Sequence, residues 1–206
     1  MQEPRADFLF VLILGILSML TPLAIDMYLP AFLNIANDFT VSQEKIQTTL
    51  ALFTFGFAFG QLFWGPLSDS YGRKPIILIG IVVSALVSLG ITQVKHIEHF
   101  YALRFVQGFF GASPAVVTGA LLRDLFAKNE FARQMSMIMI VTMIAPLLAP
   151  VLGGYLTDWF HWHIIFYVLM ALGLVCALLV FFKIPETLPL ARRTPLKIGS
   201  ILKVFG

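Results

Sequence analysis

The chain has 206 residues, 59% of them hydrophobic and 12% charged, and a formal net charge of +3; its mean hydropathy is +0.89. A water-soluble domain carries roughly a quarter of its residues charged, so half that density leaves too little polar surface to wet a globule, and lipid is the solvent for most of this chain. The basic balance alone would also suit a nucleic-acid binder, a reading that the placement of the charges excludes.

A helix that crosses a bilayer needs about 20 mostly apolar residues. Six stretches meet this: Phe8–Pro30, Ile46–Leu67, Pro75–Val94, Phe100–Leu122, Met135–Thr157 and His163–Phe182. Backbone in lipid is satisfied only in helices or closed barrels, and these runs lack the alternation of barrel strands. The first run is too long for the apolar region of a signal peptide and no A-x-A-like site follows it, so it is read as a retained span. The predicted fold is all-α, an integral membrane bundle of six helices over residues 1–184. Lys183, Glu186 and the prolines 185, 189 and 195 stop the sixth helix, and residues 185–206 are expected to be a cytoplasmic linker toward a further half. The lone Cys176 lies in an apolar run and is read as a small packed side chain.

Lysine and arginine set the orientation. With the N-terminus in the cytoplasm, Arg5, Arg73, Lys74, Arg123, Lys128, Arg133, Lys183, Arg192, Arg193, Lys197 and Lys203 fall inside and only Lys45 and Lys95 outside, eleven against two. The basic residues are thus topology signals beside anionic lipid, and no nucleic-acid partner is expected. The connection between spans 2 and 3 is read as the turn Gly65–Lys74, and that between spans 4 and 5 as the charged segment Arg123–Arg133.

Charges inside a span cost several kcal/mol and mark functional sites by default. Asp26, late in the outward-running span 1, and Arg104, early in the inward-running span 4, lie at similar depth and are expected to pair directly or through water. Gly108 and Gly111 follow on the face of Arg104, where small residues admit a neighbouring helix. Arg73 is expected to pair with Asp69 or Asp124. Trp159, Trp162 and Tyr167 read as an interfacial belt. His161-Trp162-His163 has no nearby cysteine or paired acid, so no metal site is expected there. No nucleophile–base arrangement or phosphate loop is present, and Asp26 has no second acid within a span; an enzyme is not expected.

Gly65-Pro66-Leu67-Ser68-Asp69-Ser70-Tyr71-Gly72-Arg73-Lys74 resembles the G-x-L-x-D-x-x-G-R-K loop of the major facilitator superfamily, with Ser70 where an arginine is often found. Leu103-Arg104-Phe105-Val106-Gln107-Gly108 resembles the family's span 4 motif. Ala149-Pro150-Val151-Leu152-Gly153-Gly154 resembles its antiporter motif G-P-x-x-G-G, with Ala149 at the first glycine. Ile25-Asp26-Met27-Tyr28-Leu29-Pro30-Ala31 and Pro185-Glu186-Thr187-Leu188-Pro189 resemble the bicyclomycin-resistance-type (Bcr/CflA) drug:proton antiporters. The resemblance spans the whole chain but about half of a twelve-span family member.

The resemblance implies the N-terminal half of a major facilitator fold, built as two inverted three-helix repeats, in a bacterial inner membrane with both termini cytoplasmic. It implies export of small amphipathic drugs in exchange for protons, with the proton gradient as energy source and no cofactor. Asp26 would carry the proton and Arg104 tune its proton affinity; Gln107, Tyr28 and Phe53 would contact substrate. Gly65, Asp69, Gly72, Arg73, Lys74 and Asp124 would form a cytoplasmic gate. Pro146, Pro150, Gly153 and Gly154 would seal the interface between halves. The expected partners are the drug-like substrate, the proton, the bilayer and a C-terminal half, without which no transport is expected. Two alternatives are a truncated membrane fragment that does not transport and an assembly or sensor subunit.

Overall fold

A computed structural model describes residues 8–194; Arg5, Lys197, Lys203 and the rest of the expected linker beyond Thr194 lie outside the described residues. The elements are α1 (Phe8–Asp26), a 3-10 turn (Leu29–Ala31), α2 (Phe32–Asp38), α3 (Gln43–Tyr71), α4 (Arg73–Ile91), α5 (Ile97–Leu125), α6 (Lys128–Trp159), α7 (His163–Lys183) and a closing 3-10 turn (Leu190–Arg192). Among the described residues, six helical units are long and apolar enough to cross a membrane, α1 counting together with α2. They form the expected multi-pass, all-α bundle.

The expected boundaries fail at three places, each for a local reason. Span 1 does not run straight to Pro30: α1 stops at Asp26, and Pro30, which cannot donate a backbone hydrogen bond, sits inside the 3-10 turn that follows. The break turns Met27 and Tyr28 into the core. The turn between spans 2 and 3 is not Gly65–Lys74, because α3 continues past Pro66 to Tyr71. There the hydroxyls of Ser68 and Ser70 donate back to the carbonyls of Gly65 and Pro66 at 2.8 and 3.1 Å. The chain reverses at Gly72 alone, whose φ of 107° is open to glycine and strained for other residues. The segment Arg123–Arg133 is likewise not a loop. Its charges sit on the ends of α5 and α6, which are separated only by Phe126 and Ala127.

The helices pack in a pattern that survives exchange of spans 1–3 with spans 4–6. Helix α3 lies along α5 just as α6 lies along α1, and α4 packs on α7, its own counterpart. This is the signature of two three-helix repeats inverted about an axis in the membrane plane. The core falls into two apolar layers. One gathers Val11, Leu14, Ile77, Leu121 and Val180 toward the Arg73 end. The other gathers Tyr28, Phe53, Phe100, Trp162 and Phe166 toward the opposite end.

The α3–α5 seam is the tightest. A Cβ on Gly108 would run into the Phe53 carbonyl, and one on Gly56 into the Phe105 carbonyl, backbone on both sides and with no means of yielding. Such small residues let two backbones touch where lipid supplies no hydrophobic drive for association. Gly111, expected to serve the same purpose, would place a Cβ only in ordinary contact with the Ser84 and Thr21 hydroxyls at 3.8 and 4.0 Å, so no close backbone approach depends on it.

Gly108→Ala is therefore expected to destabilise the folded protein by about 1–3 kcal/mol through overpacking, whereas Gly154→Ala, with nothing within 4 Å of its Cβ, should be neutral or slightly stabilising. Thermal melting of the two variants in detergent compares them; equal midpoints would contradict the seam.

Candidate functional site

Arg104 is completely buried. It lies on α5 one turn before Gly108, so the close seam with α3 brings Phe53 against it, and the break after α1 brings Tyr28. Its guanidinium carbon sits 4.4 Å from the Tyr28 ring centre, 4.5 Å from that of Phe53 and 5.9 Å from that of Phe166. A desolvated cation over an aromatic ring gains about 2 kcal/mol or more. Nη1 and Nη2 donate to the Ala24 carbonyl at 3.3 and 3.4 Å, and Nη1 donates to Gln107 Oε1 at 2.8 Å. Ala24 holds one of the last four carbonyls of α1, which a helix leaves without an intrahelical partner and whose partial negative charge suits a cation.

Asp26 is not in this cluster. Ala24, Met27 and Tyr28 face inward, while Asp26, the last residue of α1, is partly exposed. The expected direct Asp26–Arg104 ion pair is absent among the described residues. Arg104 takes the main-chain carbonyl two residues earlier, because residues two apart on a helix point to different sides. The same burial corrects the expected cavity face. Gln107, Tyr28 and Phe53 are each at most 1% exposed and belong to the interior of the bundle. Gln107 Nε2 donates to Ser88 Oγ at 2.7 Å, and Tyr28 Oη shares a 2.7 Å hydrogen bond with Thr49 Oγ1. Thr21, Ser84, Ser88 and Gln107, with Phe53 and Leu169, line an internal cavity of about 30 Å³. That is room for about one water and far below the several hundred Å³ of a drug site.

The antiporter motif stands beside Asp26. Gly153 packs so tightly on the Met27 main chain that a Cβ would collide with its carbonyl. Ala149 is fully buried on the same face. Pro146 is exposed and Pro150 half-buried, and Gly154 has open space. Only part of the motif therefore touches span 1; the rest faces outward from the bundle.

At the opposite end, Arg73 makes both of the expected ion pairs, to Asp69 at 2.5 Å and to Asp124 at 3.0 Å, and also donates to Ser68 Oγ at 2.7 Å. The two acids arrive from α3 and α5, so Arg73 at the start of α4 ties three helices. Glu186, unassigned by sequence reasoning, completes the arrangement. Its carboxylate accepts the backbone N–H groups of Arg73 and Lys74 at 3.0 and 3.2 Å and that of Leu188 at 2.9 Å. It caps the N-terminus of α4, where the orphan donors and the helix dipole favour an anion. Lys74 Nζ donates to the Phe181 carbonyl in the last turn of α7 at 2.7 Å. Thr187 Oγ1 donates to Asp124 at 3.2 Å, and the Thr194 N–H to the Asp69 carbonyl at 3.1 Å. Residues 185–194 are thus docked on the bundle, not extended as a free linker. The hint in the sequence was an acid just past a helix end, Pro185-Glu186-Thr187, which alone does not say which helix it caps.

Residues 14–204 match the Major Facilitator Superfamily. The chain is 56% identical to a bicyclomycin resistance protein homolog of Haemophilus influenzae over 100% of its own length and 52% of that protein. It is 35% identical to the multidrug resistance protein MdtL of Klebsiella pneumoniae over 88% of itself and 46% of that protein. The chain therefore spans about half the length of the curated relatives it matches. Among solved structures, its fold is shared by the human organic anion transporter MFSD10 (TM-score 0.72, 21% identity, 98% of this chain and 54% of that one). It is also shared by a bacterial homolog of the human lysosomal transporter Spinster in an inward-facing, unoccupied conformation (TM-score 0.78, 15% identity, 96% of this chain and 46% of that one).

Glu186→Gln keeps the size but loses the charge at the α4 N-terminus, and is expected to cost about 1 kcal/mol, the usual worth of a helix cap. Glu186→Ala should cost more. Thermal unfolding reads both; midpoints equal to the unsubstituted protein would show that the cap is idle.

Proposed function

Because the chain belongs to the Major Facilitator Superfamily, a family of transporters and not enzymes, we propose that it is the N-terminal half of a proton-coupled exporter of amphipathic, drug-like molecules. The observation that carries the coupling is Asp26. It is the one acid within the apolar stretch of a span, it is partly exposed, and it has no ion partner among the described residues. An acid so placed can take and give a proton without breaking a structural contact. Arg104 acts as a fixed positive charge behind it, held in the interior by two rings and the Ala24 carbonyl. Tyr28, Phe53 and Gln107 hold Arg104 in place.

The small internal cavity supports a substrate site outside this bundle, between it and a C-terminal half. The packing of Gly153 against Met27 puts the antiporter motif at the same height as Asp26, where a seal between halves would keep protons from leaking past the carrier. The Arg73–Asp69–Asp124 cluster with Glu186 serves as the gate at the opposite, cytoplasmic end. That orientation, in a bacterial inner membrane with both termini inside, rests on the lysine and arginine bias. Among the described residues only Lys45 and Lys95 lie at the far end. Energy comes from the proton gradient, and no cofactor is needed.

The test is proton-driven drug uptake into inverted vesicles, whose cytoplasmic face is outside, holding either the whole transporter or residues 1–206 alone. Asp26→Asn in the whole transporter is expected to abolish uphill export while equilibrium drug binding remains. Arg104→Met, apolar and of similar length, should keep the protein inserted but reduce export at least tenfold. Residues 1–206 alone should insert and not transport. Uphill export by Asp26→Asn would overturn the assignment of the proton carrier, and export by residues 1–206, lost on Asp26→Asn, would overturn the need for a second half.

A further inference from the structure

At the end of the bundle away from Arg73, α2 meets the connection between α6 and α7. Trp162, in that connection, is 1% exposed. Its indole N–H donates to Asp38 Oδ2 at 2.7 Å, and its ring packs on Phe39, Phe100 and Phe166. Trp162 is therefore an anchor in the core, not part of the expected interfacial belt; Trp159, 79% exposed, fits the belt. With Trp162 anchored, the residues on either side of it are fixed in space. His163 stacks on the indole at 3.8 Å between ring centres. His161 Nε2 lies 3.2 Å from Asp38 Oδ2, and the Nδ1 atoms of His161 and His163 face each other at 2.6 Å. One ligand atom from each of Asp38, His161 and His163 falls within 4.8 Å of the others.

The two imidazoles converge on one point, and a carboxylate holds the far nitrogen of one of them. We propose that His161 and His163 bind a borderline divalent cation, Zn²⁺ or Cu²⁺, through their Nδ1 atoms, with Asp38 accepting the Nε2–H of His161. Two nitrogens on a tetrahedral metal at ~2.0–2.1 Å stand ~3.3 Å apart, which a small rotation of the exposed His161 ring supplies. An imidazole that ligates through one nitrogen characteristically donates its other N–H to a carboxylate, which fixes tautomer and ring orientation; Asp38 is already in that position. Imidazole is a preferred donor for both ions, with Cu²⁺ held more tightly. The remaining coordination positions open onto hollows of about 430 Å³, bordered by Asn34, Asn37 and Asp158, and about 230 Å³, bordered by Lys95. They are left to water or to a small ligand. The sequence shows no acid near this histidine pair; the fold supplies one by bringing Asp38 to it from far away in the chain.

Bound metal would fix the α6–α7 connection to the start of α7 and, through the Asp38 hydrogen bond to His161, reinforce its contact with α2. The test uses the full chain, without a polyhistidine tag, in detergent or nanodiscs. Cu²⁺ titration followed by electron paramagnetic resonance should show one ion per chain coupled to two imidazole nitrogens. His161→Gln and His163→Gln should each weaken binding at least tenfold. Asp38→Asn should weaken it about 10–100-fold while two nitrogens remain. His96→Gln with His99→Gln, a histidine pair outside the site, should change nothing. A second measurement needs no variant: Zn²⁺ should protect His161 and His163, but not His96 and His99, from acylation by diethyl pyrocarbonate. Unchanged affinity in both single histidine variants, a signal that disappears with His96 and His99, or equal acylation with and without Zn²⁺ would each overturn the site.

Discussion

A guanidinium with no ion-paired carboxylate among the described residues sits inside this bundle, and much of the surrounding structure answers that demand. Removing a charge from water costs several kcal/mol unless it is paired and hydrogen-bonded. Here the compensation is spread over ring faces, a main-chain carbonyl and a glutamine side chain. Each of these needs a backbone feature. The carbonyl of Ala24 is available because α1 ends two residues later. Tyr28 faces Arg104 because the chain breaks there. Phe53 comes close because α3 and α5 meet through glycines. Replacing the guanidinium by lysine would keep the charge and lose the flat surface that lies over both rings.

That arrangement separates two tasks that a simple ion pair would merge. Had Asp26 been locked to Arg104, its proton would exchange only by breaking a buried salt bridge. Instead Arg104 is held by ring faces, a main-chain carbonyl and a glutamine, and Asp26 stands partly exposed outside that cluster. The guanidinium and the carboxyl thus occupy separate environments, as the proton-carrying role proposed for Asp26 requires.

Much of this was legible in the sequence. Six apolar runs, a lopsided distribution of lysine and arginine, and two lone intramembrane charges are read directly from residue type, because lipid penalises each departure heavily. What could not be read is partner choice. Arg104 is obvious in a span, but its acceptors are a carbonyl and ring faces, which every helix offers. The turn reads as Gly65–Lys74 because glycines stand near both ends, whereas α3 runs on to Tyr71; serine hydroxyls that bond back along the helix leave no sequence signal distinct from a loop. Asp38 and His161 meet only because α2 folds back over the α6–α7 connection, and Glu186 reaches the N-terminus of α4 from beyond the last span. Contacts across such separations belong to the tertiary fold and not to any local pattern.

Arg73 is gripped twice, by its side chain and by its main chain. The guanidinium joins Asp69 and Asp124, while the amide N–H of the same residue is held by Glu186. The strap that follows α7 and the start of α4 are therefore mechanically in series. Pulling the strap away draws on the same residue that clamps α3 to α5, and prising those helices apart tugs on the strap. The strap and the α3–α5 clamp therefore share one residue, and a change at either is felt at the other.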